Sequence, residues 1–301
     1  MVQMAVLIGI GALWRPVRPG GQEADSVRAA ISALVYYLLL PALILSVLWE
    51  APLGTESWRI SLSASGGVLA LLGLTWILLR LARASRVVTG TLLLASAWPN
   101  ATYLGLPVLE ATFGNWARRI AIQYDLFACS PLLLTVGVLI ASHYGRGDDP
   151  RSPLLALLKV PPLWAALAAV VLNLAGPAPP PSLERLLGDL GQGVPALMLL
   201  ALGMSLSWGR PGWERLPPIG LALVLQLAVQ PLLVAVLASL TGLTGDVHRA
   251  VSLEGAMPTM VLGLVLCDRY GLDTGLYAAI VTVTTAASLV TLPLWFALLG
   301  G

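Results

Sequence analysis

The feature that most constrains this chain is a succession of long apolar runs, separated by charged or Gly/Pro-rich breaks. A helix needs about 20 such residues to cross the hydrocarbon core of a bilayer, and it satisfies its own backbone hydrogen bonds in lipid. The runs do not alternate apolar with polar residues, as the strands of a membrane β-barrel would. We therefore predict an all-α integral membrane protein with ten transmembrane helices. Their expected limits are 2–14, 27–49, 58–79, 88–112, 117–142, 154–175, 184–208, 217–241, 248–267 and 275–299.

Composition fits this class and excludes several functions. Hydrophobic residues make up 57% of the chain and charged residues 11%, whereas a soluble domain carries about 25% charged residues. With a net charge of +2 and no basic run, the chain lacks the footprint of a nucleic-acid-binding protein. His143 and His248 lie at span edges and no hydrolase, zinc-protease or P-loop motif occurs, so we predict neither an enzyme nor a cofactor. Cys129 and Cys267 lie in apolar runs without C-x-x-C spacing and are predicted to be packing residues.

The distribution of basic residues predicts the orientation. Twelve of the 17 Lys and Arg residues fall in connections after odd-numbered spans, and five fall in connections after even-numbered spans. Because cytoplasmic loops accumulate basic residues, we place the odd-numbered connections in the cytoplasm. Both termini then lie on the outer side of the cell membrane. The polar connection at 143–152 divides the chain into two five-helix halves, 1–142 and 153–301.

The two halves share proline landmarks in the same order, as in "LPALIL" of span two and "VPALML" of span seven. The corresponding prolines are Pro41 and Pro195, Pro99 and Pro258, and Pro131 and Pro293. Since each half holds an odd number of spans, the second half is predicted to be inverted relative to the first. Two inverted repeats of this kind are the plan of many secondary transporters.

The stretch "WPNATYLGLP", at 98–107, interrupts span four with two prolines, a glycine, an asparagine and a threonine. Proline removes a backbone donor and clashes with the preceding turn, and a broken backbone at membrane depth must line protein or a cavity. A bare kink is the alternative. The half-helix after each break would offer its positive end to an anion. The residues predicted to bind substrate are Pro99, Asn100, Ala101, Thr102, Gly105, Pro258, Thr259, Gln226 and Gln230.

Ionisable residues inside spans are costly and are therefore functional candidates. Glu254 precedes Pro258 by one turn and Asp125 lies in span five, so either could hold a proton or Na⁺. The alternatives are a solvated glutamate at the helix start and a span-end aspartate. For Na⁺ the predicted oxygen ligands are Asn100, Thr102, Glu254 and Thr259.

The segment "PNATYLGLP" resembles the P-N-x-x-x-x-G-[IL]-P signature in span four of auxin efflux carriers and their bacterial malonate-type permease relatives. "YYLLLPALIL", "LMLLALGMSLS" and "AMPTMVLGLVLCDRYGLD" are similar to other stretches of that family, so the resemblance covers essentially the whole chain. Bile-acid/sodium symporters share the general plan. This sequence departs from the family in carrying Trp98 before the crossover proline and Glu254 where many relatives are uncharged.

The resemblance implies a homodimer of ten-helix subunits in which broken helices 4 and 9 cross. Helices 1, 2, 6 and 7 would form a scaffold, and helices 3–5 and 8–10 a transport domain that moves as an elevator. Pro99, Asn100 and Pro258 would lie at the crossover beside an organic anion.

We therefore predict a secondary transporter of a small organic anion, such as a malonate-like dicarboxylate or an auxin-like acid. Two alternatives remain open at this point. One is a Na⁺-coupled symporter of the bile-acid kind, and the other is a ligand sensor that keeps the fold without transport. Import and export, and coupling to Na⁺, to H⁺ or to neither, are not distinguished by the sequence.

Overall fold

The computed structural model describes residues 2–51, 54–145, 161–206 and 212–300. It is 85% helix, and within these ranges the only extended pairing is one isolated bridge. The helices are α1 Val2–Val17, α2 Ala24–Trp49, α3 Thr55–Leu81, α4 in two pieces Arg86–Ala97 and 101–113, α5 Asn115–Tyr144, α6 Pro161–Ala175, α7 Pro181–Ser205, α8 Trp213–Leu240, α9 in two pieces Gly245–Gly255 and Gly263–Arg269, and α10 Thr274–Leu298.

The prediction of several membrane-spanning helices is confirmed. Six helices, namely α2, α3, α5, α7, α8 and α10, are long and apolar enough to cross a bilayer. Shorter apolar helices occur at Val6–Val17, Arg86–Ala97 and Pro161–Ala175. The count of ten spans, their inverted arrangement and the orientation stay predictions. Of the connection predicted at 143–152, residues 146–152 lie outside the described part of the chain.

Four prolines lie just after a widened helical turn. In each case the residue before the proline donates its N–H to the carbonyl five residues back, as in a π-helix. These bonds are Leu40 to Val35, Leu106 to Ala101, Ser130 to Asp125 and Gln230 to Leu225. In a regular helix, a proline ring clashes with the carbonyl four residues earlier. A widened turn contains one extra residue, so this carbonyl no longer faces the proline ring. The helices therefore continue through these prolines.

Two groups of helices pack within themselves. In the first group, α1 packs on α7 and α2 packs on both α6 and α7. Gly11 and Gly203 permit the close approach of α1 to α7, because a Cβ on Gly203 would lie 2.1 Å from the Ile8 carbonyl oxygen. The Asn173 amide of α6 donates to the carbonyls that end α2, at 2.6 Å for Trp49. In the second group, α3 packs on α4, α5 and α8, and α8 packs on α9.

The two groups meet near the broken helices. From the first group, α7 contacts the second piece of α4, and both α2 and α6 contact α5. An apolar groove of about 670 Å³ lies between α3, α5 and α6. Gly54, which immediately precedes α3, Phe127 of α5 and Leu174 of α6 are among the residues that line it.

Candidate functional site

The breaks in α4 and α9 pair with each other through their backbones. Pro99 and Thr259 form an antiparallel bridge. The Asn100 N–H donates to the Pro258 carbonyl at 2.7 Å, and the Met260 N–H donates to the Trp98 carbonyl at 2.9 Å. Each interrupted helix thus supplies hydrogen-bond partners for backbone groups that the break in the other helix leaves unpaired. This satisfies the requirement that irregular backbone at membrane depth be buried in protein.

Side chains predicted to bind substrate also tie the two breaks together. The Thr259 hydroxyl donates to the Ala95 carbonyl of the first piece of α4 at 2.7 Å, and the Thr259 N–H donates to the Thr284 hydroxyl of α10 at 3.3 Å. The Gln226 side-chain amide of α8 donates to the Met257 carbonyl at 2.8 Å. Thr259 and Gln226 are therefore anchors of the paired breaks.

Two aromatic residues complete this anchoring. The Trp98 ring is fully buried, and its Nε1–H donates to the Cys129 carbonyl of α5 at 3.1 Å. The Tyr277 hydroxyl of α10 donates to the Met260 carbonyl at 2.7 Å and lies where a Cβ on Gly263 would be. Sequence reasoning missed Tyr277, because a single tyrosine near the start of an apolar span carries no distinctive signal.

Asn100 offers a free donor at the break. Its side chain is only 1% exposed, and its Nδ2 has no hydrogen-bond partner. Its backbone carbonyl accepts from the Gly105 N–H at 2.9 Å, closing the first turn of the second piece of α4. Such an unpartnered buried donor is unusual in proteins. It is available to an acceptor group of a ligand.

Thr102 and Asp125, which the sequence singled out separately, lie together. The Thr102 hydroxyl donates to one carboxylate oxygen of Asp125, and the Ser130 hydroxyl donates to the other at 2.9 Å. Asp125 is 6% exposed, so it is not a solvated residue at a span end. The three side chains join the second piece of α4 to α5.

Glu254 is buried against Gly105. The residue is 0% exposed, which rejects the alternative of a solvated glutamate at the helix start. A Cβ on Gly105 would lie 2.0 Å from Glu254 Oε1, so only glycine leaves room for this carboxylate. Neither carboxylate oxygen has a hydrogen-bond partner among the described residues.

Further unpartnered polar groups lie in the buried interior of the same helices. Gln230 of α8, which the sequence predicted, is fully buried close to Tyr124, and neither of its amide atoms is within hydrogen-bond geometry of a partner. The groups that sequence reasoning missed are both amide atoms of Gln123 and the hydroxyl of Tyr124, and the Thr285 hydroxyl of α10 is unpaired as well. Gln123 and Tyr124 directly precede Asp125, and this polar run within an apolar span was a usable signal.

The chain matches the membrane transport protein family (Mem_trans) over residues 1–296. It belongs to this family. The resemblance to auxin efflux carriers is thereby confirmed. An "Uncharacterized transporter" of Methanothermobacter thermautotrophicus is 28% identical over 299 residues, which cover 98% of this chain and 96% of the relative. A "Putative malonate transporter" of Rhizobium meliloti is 24% identical over 278 residues, covering 87% and 83%.

As a member of a transporter family with several apolar helices, the chain is a multi-pass membrane protein. The described residues hold no group of three His, Cys, Asp or Glu side chains that could bind a metal ion. Of the four predicted Na⁺ ligands, Thr102 and Thr259 already donate to Asp125 and to the Ala95 carbonyl. Cys129 and Cys267 are free and buried, as predicted for packing residues.

Proposed function

We propose that this transporter moves a small organic anion across the cell membrane by alternating access, with the anion bound at the paired breaks. The observation that carries the proposal is the Asn100 amide, a buried donor without a partner beside the two breaks. Broken helices that face each other at membrane depth are the binding sites of many secondary transporters.

The chemistry of the break favours a carboxylate. The Asn100 Nδ2–H group can donate to a carboxylate oxygen, and this hydrogen bond is charge-assisted. The second piece of α4 begins at the same residue, so the positive end of its dipole lies toward an anion at Asn100. The relative named as a malonate transporter supports a dicarboxylate as the first compound to test.

An elevator movement would expose the site to each side in turn. We propose that α1, α2, α6 and α7 form the fixed scaffold and that the remaining helices move, with crossed α4 and α9 carrying the site. The contact of α7 with the second piece of α4 supports this division, since it lies at the boundary between the groups. Both termini would lie outside, and two subunits would join as a homodimer.

The test is binding and flux with the purified protein. We expect at least one compound to bind in calorimetry from a panel of malonate, succinate, acetate and indole-3-acetate. The same compound should accumulate in proteoliposomes. Binding without flux would indicate a sensor, and flux that requires a Na⁺ gradient would indicate a Na⁺-coupled symporter. A panel in which nothing binds would contradict the proposal.

Asn100→Ala tests the site itself. Loss of a hydrogen bond to a charged group costs about 1.5–3 kcal/mol, which corresponds to an affinity loss of about 10-fold to 150-fold. The matched control is Asn115→Ala, which removes an exposed asparagine at the start of α5 and should bind like the unmodified protein. Unchanged affinity in Asn100→Ala would remove Asn100 from the site.

A further inference from the structure

The buried interior carries acidic groups without basic ones. Among the described residues, the charged side chains that are buried are Asp125 and Glu254. A carboxylate taken out of water needs hydrogen-bond donors or a counter-charge to remain ionised. Neither acid has a buried Lys or Arg beside it within the described residues.

The two acids differ in how they are accommodated. Asp125 accepts hydrogen bonds from two hydroxyls, those of Thr102 and Ser130. Glu254 is fully buried, and both of its oxygens lack a partner. Its carboxylate instead occupies the space that a side chain on Gly105 would fill. The Asp125 carboxylate therefore has hydrogen-bond donors beside it, whereas the Glu254 carboxylate has none.

The helices around Glu254 bring no positive charge to it. The first piece of α9 packs against α3, the second piece of α4, α5, α8 and α10. The titratable groups that interact with Glu254 are Tyr124, Asp125 and Cys129, all on α5. The other titratable groups near these helices have partners of their own: Glu56 with Arg119, Glu110 with Arg118, Arg59 with the Gly242 carbonyl, Asp246 with Arg249, His248 with Ser239, Tyr103 with Ser32, and Tyr277 with the Met260 carbonyl.

We propose that Glu254 is a proton site behind the paired breaks and that one proton binds there with each transported anion. This inference rests on the proposed function. Asn100 and Gly105 lie in one turn, closed by the hydrogen bond between them, and Gly105 touches the Glu254 carboxylate. An anion at Asn100 would therefore be repelled by an ionised Glu254. Addition of a proton to the carboxylate gives a neutral carboxyl group and removes this repulsion.

The neutral form also suits the helices that pack against the first piece of α9. A protonated carboxyl group has one O–H donor. The buried amides of Gln123 and Gln230, on helices packed against α9, have unpaired oxygens that can accept a hydrogen bond. Binding of anion and proton would then be reciprocal, so that each increases the affinity for the other.

The first test needs no substrate. Infrared spectroscopy of the purified protein should show the C=O stretch of a protonated carboxyl group that is absent from Glu254→Gln. The matched control, Glu184→Gln, removes an exposed glutamate of α7 and should retain the band. Equal spectra for the unmodified protein and Glu254→Gln, from low to high pH, would overturn the proposal whether or not any carboxylate binds.

The second test measures proton uptake on binding. Malonate, or another compound of the panel that binds, is titrated calorimetrically in phosphate and in Tris, whose ionisation enthalpies differ. Above the pH at which the infrared band of the free protein disappears, we expect uptake of about one proton per anion and affinity that falls about tenfold per pH unit. Below that pH the free protein already holds the proton, so we expect neither uptake nor pH dependence. Glu254→Gln should bind without proton uptake and with no such pH dependence.

The outcomes separate the two proposals. If a compound of the panel binds without proton uptake above the pH at which the free protein loses the infrared band, or binds only with Na⁺, the proton site is overturned but the anion transporter is not. No binding at all overturns the transporter, and the infrared comparison still decides on Glu254. If Glu254→Gln does not fold, Glu254→Asp serves in its place, because its shorter side chain withdraws the carboxyl group from Gly105 and should shift the infrared band.

Discussion

At the scale of single residues, Gly105 is the position where one added atom should matter most. In Gly105→Ala the new Cβ would lie 2.0 Å from Glu254 Oε1, within a buried turn that closes on the Asn100 carbonyl. Overpacking of this kind costs about 1–3 kcal/mol, so we expect a clear fall in thermal stability in detergent. Glu254→Ala in the same protein should restore part of the loss, because it removes the clashing group.

Gly73→Ala is the control for this substitution. Gly73 lies inside α3, and a Cβ added there would have no neighbouring atom within 4 Å, so alanine should be neutral or slightly stabilising. Equal melting temperatures for Gly105→Ala and Gly73→Ala would contradict the close contact between Gly105 and Glu254.

Residue identities were predictable where an unusual type stood in an apolar run. Asn100, Asp125 and Glu254 stand out because a polar or charged group in lipid is costly. The sequence did not show that Thr102 contacts Asp125 or that Gly105 contacts Glu254, since these pairs are separated by many residues. Contacts of this kind depend on how helices turn relative to one another, which apolar composition does not specify.

At the scale of elements, the paired breaks should act as one unit in stability. Thr259→Val keeps the shape of the side chain but leaves the buried Ala95 carbonyl without its hydroxyl donor. An unsatisfied buried group costs about 1–3 kcal/mol, and we expect a lower melting temperature together with weaker malonate binding. Thr89→Val is the control, because the Ser85 carbonyl that its hydroxyl contacts also accepts the Thr89 backbone N–H. Equal effects of the two variants would contradict a special role for the Thr259 bond.

The helices themselves were largely predictable. The predicted span 58–79 corresponds to Thr55–Leu81, and 117–142 corresponds to Asn115–Tyr144. Long apolar runs locate helices because lipid requires the backbone to bond internally. The pattern did not predict the widened turns before Pro41 and Pro131, since proline indicates a disturbed turn but not the hydrogen bonds that replace it.

At the scale of the whole molecule, the negative charge of the buried interior limits which ligand the proposed site can bind. An anion site beside two buried acids requires that negative charge be offset, and the described interior offers no base to do so. A proton bound at Glu254 with the anion would remove one of these two negative charges without any added residue. The pairing of α4 with α9 was predictable from the repeated prolines. The excess of buried acidic over buried basic side chains was not, because the sequence does not show which charged residues are buried.

The elevator proposal requires α3 and α6 to move past each other, and their shared groove offers a way to prevent it. Gly54, just before α3, and Leu174 of α6 both line this groove, and both are exposed. A short bifunctional thiol reagent that joins Gly54→Cys to Leu174→Cys should abolish malonate flux but leave malonate binding intact, and reduction should restore flux. The native Cys129 and Cys267 are fully buried and should not react. Each single-cysteine variant, treated alike, should keep its flux. Transport at the unmodified rate through the cross-linked protein would mean that α3 and α6 do not move relative to each other during transport.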